Sequence, residues 1–385
     1  MSSDSSDLSG RSPDDGDRRG YTVRGVRIPT RYFLAPVNTG FFAAGLPTEG
    51  LRRFHQERSG RSIGVSFVGN VAIDSEYVNS PMTPFLSQHR AWEVIAATIR
   101  SNGSVPGIQL ACKTFAKTAP KKWVNHDVSH FIKCMRSHLL SLSTATLDRV
   151  FDRFLWAADT SWRLGFRIVQ LHAAHGYFLA LLLSQEINHR TDRYGDGVDA
   201  LRRLIGAIRG LGHPMVLDVR LSLSEGLRDR SDELEAFDRR VAQIADSEVD
   251  ILSISDGFYD INKFSIYPRR EDGLGCYVDL AAAYAARFRA KLWNVAGNVW
   301  DIASLMPRLP PNLSLSIGRS LIADPAFVEK SLRVADSPIN ACVRSGNCHY
   351  HTRGRPHIEC KVNAHVAGDE SYYLPILITG EDLER

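Results

Sequence analysis

Short, almost unbroken apolar runs alternate along this chain with longer stretches whose apolar positions recur every three or four residues. The runs fall at residues 32–37, 63–68, 107–112, 166–171, 215–221, 249–254, 291–296 and 313–317. Their continuity is that of strands buried on both faces, as in a parallel sheet. Between them, residues 146–158 place Leu147, Val150, Phe151, Phe154, Leu155 and Ala158 on one helical face, with Ser143 in position to cap the helix. Eight strand–helix units without a composition break inside residues 23–335 predict an α/β fold, a (β/α)8 TIM barrel rather than a doubly wound sheet. A Rossmann domain is disfavoured, because the nearest glycine cluster, residues 206–212, has the wrong spacing and ends a helix. The expected organisation is a disordered tail over 1–20, rich in Ser, Asp, Gly and Arg, a barrel over 21–335, and a C-terminal extension over 336–385.

Composition narrows the function classes. Of 385 residues 44% are hydrophobic and 23% charged, as in ordinary soluble globular proteins. The 47 basic and 43 acidic residues give a net charge of only +4, which makes no case for nucleic acid or an anionic membrane as partner. There is no apolar leader at the N-terminus and no apolar stretch of membrane-spanning length. Six cysteines in a chain this long do not resemble a secreted disulfide framework, so a cytoplasmic protein acting on a small molecule is expected. Association into a homo-oligomer is left open.

The fourth run leads into His172-Ala-Ala-His175-Gly-Tyr177, followed by Asn188-His-Arg190-Thr-Asp192-Arg-Tyr194-Gly195. Polar groups there should project from the C-terminal end of a strand, where barrel enzymes keep their chemistry. Alone, the two histidines read more readily as residues satisfied by local hydrogen bonds, and a zinc site would need a third ligand. A tyrosine here is equally a core residue with a bonded hydroxyl or a proton donor, since a phenol of pKa about 10 stays protonated at neutral pH.

This segment, with motifs at other strand ends, resembles the Old Yellow Enzyme family of FMN-dependent ene-reductases and NADH:flavin oxidoreductases. The resemblance covers about residues 25–365. It implies that His172 and His175 hold the substrate's carbonyl or nitro oxygen and that Tyr177 protonates its α-carbon. It further implies FMN contacts from Pro36 and Asn38 after the first strand, Gly69 after the second, Gln109 on the third, Arg220 ending the fifth, and Gly297 after the seventh. Gly318 and Arg319 match a phosphate motif at the eighth, where backbone amides and a following helix N-terminus could cradle the anion. NAD(P)H is the implied reductant. The chain departs from the family at Asn38, at Cys112, at Asp196 and Leu201, and at Gln170, where glutamate is usual.

Cys342-Val-Arg-Ser345-Gly-Asn-Cys348, with Cys360, resembles the four-cysteine iron–sulfur motif of larger family members, but the second ligand position is serine. Cys342, Cys348 and Cys360 are therefore candidate metal ligands, with His349 or His351 as substitutes, or else a relic that only packs the extension. Specificity is expected in residues 113–140 and 257–276, where Phe258, Tyr259, Phe264 and Tyr267 could line a pocket. Reduction of an activated C=C bond, an oxidative flavin reaction and a non-catalytic flavoprotein are the three functional readings.

Overall fold

The computed structural model describes residues 20–78, 83–113, 127–350, 354–366 and 370–377. The eight apolar runs become eight parallel strands: β1 (Tyr32–Val37), β2 (Val65–Ala72), β3 (Val105–Ala111), β4 (Ile168–Ala173), β5 (Val216–Ser222), β6 (Ile251–Ser255), β7 (Leu292–Ala296) and β8 (Leu313–Ile317). Each pairs with the next, and β8 pairs with β1 to close the barrel. Several strands lie one to four residues beyond the run that predicts them, as 63–68 against Val65–Ala72 and 249–254 against Ile251–Ser255. The apolar run marks the foot of the barrel, whereas the pairing continues into polar residues at its mouth.

The interior is layered. At the foot, Phe33, Val65, Phe67, Val105, Ile168, Val216 and Ile251 form an apolar cluster. A two-stranded antiparallel hairpin, Tyr21–Val23 with Val26–Ile28, packs beneath it, and the Tyr21 hydroxyl accepts a hydrogen bond from Ser314 at 3.3 Å. Above lies a polar belt of Gln170, Asp218, Ser253 and Asn294, all buried. The mouth carries Gln109, His172, Arg220 and Ser255.

Helices between the strands bury their apolar faces against the barrel. The longest of the first half, α1 (Thr144–Arg163), starts at Ser143, whose side chain accepts from the Thr146 amide, and buries Leu147, Val150, Phe154 and Ala158. Phe151 and Leu155 are only partly buried against the core. The expected specificity loop over 113–140 is in part a helix, α2 (Val128–Ser141), while residues 114–126 lie outside the described residues, as do 1–19 and His351. The C-terminal stretch packs onto the barrel mouth: Tyr350, Ile358 and Tyr372 are buried, and the Ile358 amide donates to Thr39 O at 2.9 Å. No described helix is long and apolar enough to cross a membrane.

Candidate active site

A cavity of about 200 Å³ opens at the barrel mouth, bounded by residues from every part of the chain between Ala35 and Tyr350. It brings together Pro36, Asn38, Gln109, His172, His175, Tyr177, Arg220, Gly297, Gly318 and Arg319, ten of the residues singled out by the sequence. Gly69 is the exception. A Cβ there would come within 2.9 Å of the Gln109 Cβ and 3.4 Å of the Pro36 Cβ, so this glycine lets two strands' side chains close up behind the wall. The wall itself carries the next residue, Asn70.

Local geometry places the β4 residues. His172 lies within the strand, and the chain then turns sharply: His175 takes φ +60°, and at Gly176 (φ +80°) a Cβ would lie 2.3 Å from the Phe258 ring. A left-handed conformation at a non-glycine residue is held only when its surroundings fix it. Here the His175 amide donates to Ser222 Oγ at 3.1 Å and its carbonyl accepts from the Tyr259 amide at 3.2 Å. His175 Nε2 meets Ser255 Oγ at 2.8 Å, and Arg220 Nε donates to the same oxygen at 3.2 Å. Ser255 thus ties a histidine and the arginine into one unit.

The rings are packed against one another. His172 stacks on Tyr177 with centroids 4.2 Å apart and meets His175 edge-on at 5.0 Å. Burial, reinforced by the Arg220 cation, holds both histidines well below the ordinary imidazole pKa, so both are neutral at pH 7. His172 Nδ1 is buried without a hydrogen-bond partner. Asn70 Nδ2 donates to the Tyr177 hydroxyl oxygen, and the Lys113 ammonium lies 5.6 Å from the Tyr177 ring centre and 5.3 Å from that of Tyr259. Asn70 and Ser255 escape sequence reasoning because each works through a neighbour, whereas Lys113 opens the stretch 113–140 in which specificity is expected.

On the opposite side, Asn38 Oδ1 accepts from Tyr350 Oη at 2.8 Å and from the Gly40 amide at 3.3 Å. Its carbonyl is therefore committed to the protein. Arg319 Nη2 donates to Asn298 Oδ1 at 2.9 Å and to Pro268 O at 2.7 Å. Arg344 donates to the same two acceptors, and its buried Nε has no partner. The helix after Gly318 spans only Arg319–Ala323, so anion-binding capacity here lies in two adjacent guanidinium groups rather than in a helix dipole.

These features fit the FMN that the resemblance implies. Two cations sharing one amide oxygen call for an anion such as a phosphate. Gln109 offers an amide to a ring edge, and Arg220, pulled by burial to about 10 yet still protonated at neutral pH, offers positive charge. Among the described lining residues there is no Asp or Glu.

Two other expectations change. Of the four aromatic candidates, Tyr259 and Tyr267 line the cavity, whereas Phe258 is buried behind it against Phe131 and Phe264 is 56% exposed. The segment Asn188–Gly195 does not reach the cavity at all. Asn188 Nδ2 donates to Leu182 O and Tyr194 O at 2.8 Å each, Arg190 Nη1 to Leu139 O and Leu142 O at 2.7 Å each, and Arg190 Nη2 to Asp192 at 2.5 Å. It is a clamp between α2, α1 and the turn after β4.

Cys342, Cys348 and Cys360 line a neighbouring cavity of about 360 Å³ together with Ser345 and Arg344. All three are free thiols, and burial pushes the Cys348 thiol up to about 11. Among the described residues no three His, Cys, Asp or Glu side chains converge on a metal position. The segment does contribute Arg344 to the main cavity.

The NADH:flavin oxidoreductase / NADH oxidase family profile matches residues 27–267. The chain is 28% identical over 265 residues to the NADH-dependent flavin oxidoreductase iliE of Neonectria sp. (strain DH2), covering 61% of this chain and 34% of that one. It is 25% identical over 308 residues to iliE of Hypocrea jecorina (strain QM6a), covering 69% and 75%. Among solved structures, a 2-naphthoyl-CoA reductase complex aligns with TM-score 0.74 at 15% identity, over 93% of this chain and 58% of that one. The old yellow enzyme homologue from Zymomonas mobilis aligns with TM-score 0.63 at 16% identity, over 95% and 98%. The chain thus spans about a third of the first relative and about half of the larger structural neighbour. The profile match covers well over half of the chain, and the chain belongs to the NADH:flavin oxidoreductase / NADH oxidase family, flavoproteins whose FMN its (β/α)8 barrel is built to hold.

Proposed function

We propose that this protein is an FMN-dependent oxidoreductase that uses NAD(P)H to reduce an activated C=C bond, as in an α,β-unsaturated carbonyl compound. The observation that carries the reading is the convergence of two neutral imidazoles, a phenol and a guanidinium on one cavity with no carboxylate among its described lining residues. Bound FMN supplies the two-electron carrier between nicotinamide and substrate.

The residues divide the remaining work. Neutral His172 and His175 can donate hydrogen bonds to a substrate oxygen, favouring the negative charge that grows there as electrons arrive at the far carbon. Tyr177 holds the proton destined for the α-carbon at its hydroxyl oxygen. The Asn70 hydrogen bond to that oxygen and the nearby Lys113 cation both favour the phenolate left behind, so they ease the transfer. Arg319 and Arg344 would hold the phosphate, Gln109 and Asn38 the ring edge, and Arg220 the charge of the reduced ring.

The charge of the wall also separates this reading from an oxidative one on amines. Arg220, Arg319 and Arg344 with no lining Asp or Glu among the described residues disfavour a cationic substrate. The test is a pair of anaerobic mixing experiments on FMN-loaded protein. NADH or NADPH should bleach the flavin, and 2-cyclohexenone or a nitroalkene should restore its colour. Bleached flavin that only oxygen can restore would overturn the reading.

A further inference from the structure

Asp218 stands in the polar belt of the barrel, fully buried, and the cavity-wall chemistry described above does not use it. It sits in a directed chain of hydrogen bonds that reaches the cavity. Gln109 Nε2 donates to Gln170 Oε1 at 2.6 Å, and Gln170 Nε2 donates to Asp218 Oδ2 at 2.6 Å. Ser253 Oγ donates to the same oxygen at 2.8 Å and is itself bonded by Asn294 at 3.0 Å. Asp218 Oδ1 has no partner. The carboxylate's demand for donors fixes the orientation of both amides, and Gln109 lines the cavity.

Resting on the FMN reading above, we propose that Asp218 takes up a proton from solvent when the bound cofactor is reduced, with Gln170 and Gln109 linking it to the cofactor edge. Arg220 lies two residues along the same strand, and the two side chains point to the same side. With the cofactor oxidised, Asp218 is the buried counter-charge of Arg220. A nicotinamide donor delivers two electrons with one proton, so the cofactor gains one negative charge beside Arg220. One guanidinium then faces two buried anions, and binding one proton at Asp218 restores the balance. No bond to carbon is made or broken at Asp218, and Oδ1 can receive the proton without reversing the amide chain.

The surroundings suit such a switch. The charged groups acting on Asp218 are Arg220 on its own strand and, with opposite effect, Asp250 at the foot of β6. Neutral His172 stands above it on β4, and Gln170, Ser253 and Asn294 do not titrate. Burial pushes the carboxyl up to about 7, against the pull of its hydrogen bonds and of Arg220. The acid stands on β5, and an amide from β4 connects it to Gln109 on β3.

The test is the midpoint potential of FMN-loaded protein, followed spectroscopically between pH 7 and 9, for wild type and Asp218→Asn. One extra proton per two electrons is a tenfold change in the reduction equilibrium per pH unit, about 30 mV. The wild-type potential should fall by about that much more per unit than the variant's. Equal slopes with FMN visibly bound in both proteins would overturn the inference and leave the flavin reading intact; wild type that takes up no FMN overturns both. Redox-difference infrared spectra of wild type alone give a second measurement, independent of how the variant folds. A carboxylic-acid carbonyl band that appears on reduction and shifts in D2O supports the inference, and its absence overturns it.

Discussion

The two polar blocks that end and follow β4 look alike in sequence and behave differently in the fold. His172 to Tyr177 and Asn188 to Gly195 are both dense in polar residues. In the first, a buried imidazole nitrogen lacks a partner, a backbone is held left-handed, and both histidines are pushed far from their ordinary pKa. In the second, the amide of Asn188 and the guanidinium of Arg190 are spent on carbonyls and a carboxylate, and the Arg190 pairing holds the Asp192 carboxyl well below the usual range. Polar groups that serve a ligand are left with unmet demand, and polar groups that serve the fold are saturated.

Substitutions should separate the blocks cleanly. Tyr177→Phe has the largest expected effect, a fall of roughly 10²- to 10⁴-fold in the alkene half-reaction, with flavin binding and reduction by NAD(P)H unchanged. Stopped-flow traces of the two half-reactions check it, and equal slowing of both would place Tyr177 in the scaffold. Arg190→Ala should do the reverse. It should cost about 3 kcal/mol in denaturant unfolding, while protein that remains folded keeps its KM.

Replacing His172 and His175 together with Ala should weaken phenol binding by at least roughly tenfold, read as loss of the long-wavelength charge-transfer band, with flavin retained. Undiminished phenol binding would remove the pair from the substrate site. Tyr194→Phe deletes the bond to Asp148 at 2.5 Å and should cost about 1 kcal/mol of stability, with no effect on turnover.

The smallest effect concerns pH. Both histidines have folded pKa values far below the unfolded 6.5, so the unfolded chain binds more protons and their contribution to stability is lost as pH falls below 6.5. Phenol affinity should correspondingly show no imidazole inflection near 6.5. An inflection there that vanishes in His172→Ala or His175→Ala would contradict their neutrality.

Much of this was legible in the sequence. The eight apolar runs predict the barrel because parallel strands buried on both faces leave few polar positions outside their ends. The strand-end residues come from the family resemblance, and Arg220 also stands out by itself, because a charge at the end of a buried strand needs an anionic partner. The profile match itself stops at residue 267, yet the runs at 291–296 and 313–317 still predict β7 and β8. What the sequence hides are roles set by distant neighbours. Asn70 looks like any loop amide until Tyr177 lies against it. Arg344 sits inside a cysteine motif, read as either a metal site or a packing relic, and only folding brings it beside Arg319. The Asn188–Gly195 block errs the other way, since conspicuous polarity near a site is not evidence of facing it.

The hairpin under the barrel has a consequence of its own. Packed against the apolar foot, Tyr21–Val23 and Val26–Ile28 add a further layer of protein beneath the polar belt. They thicken the low-dielectric floor of the barrel: charges at the mouth feel one another through protein rather than through solvent, and the hairpin becomes electrically part of a site at the barrel's other end.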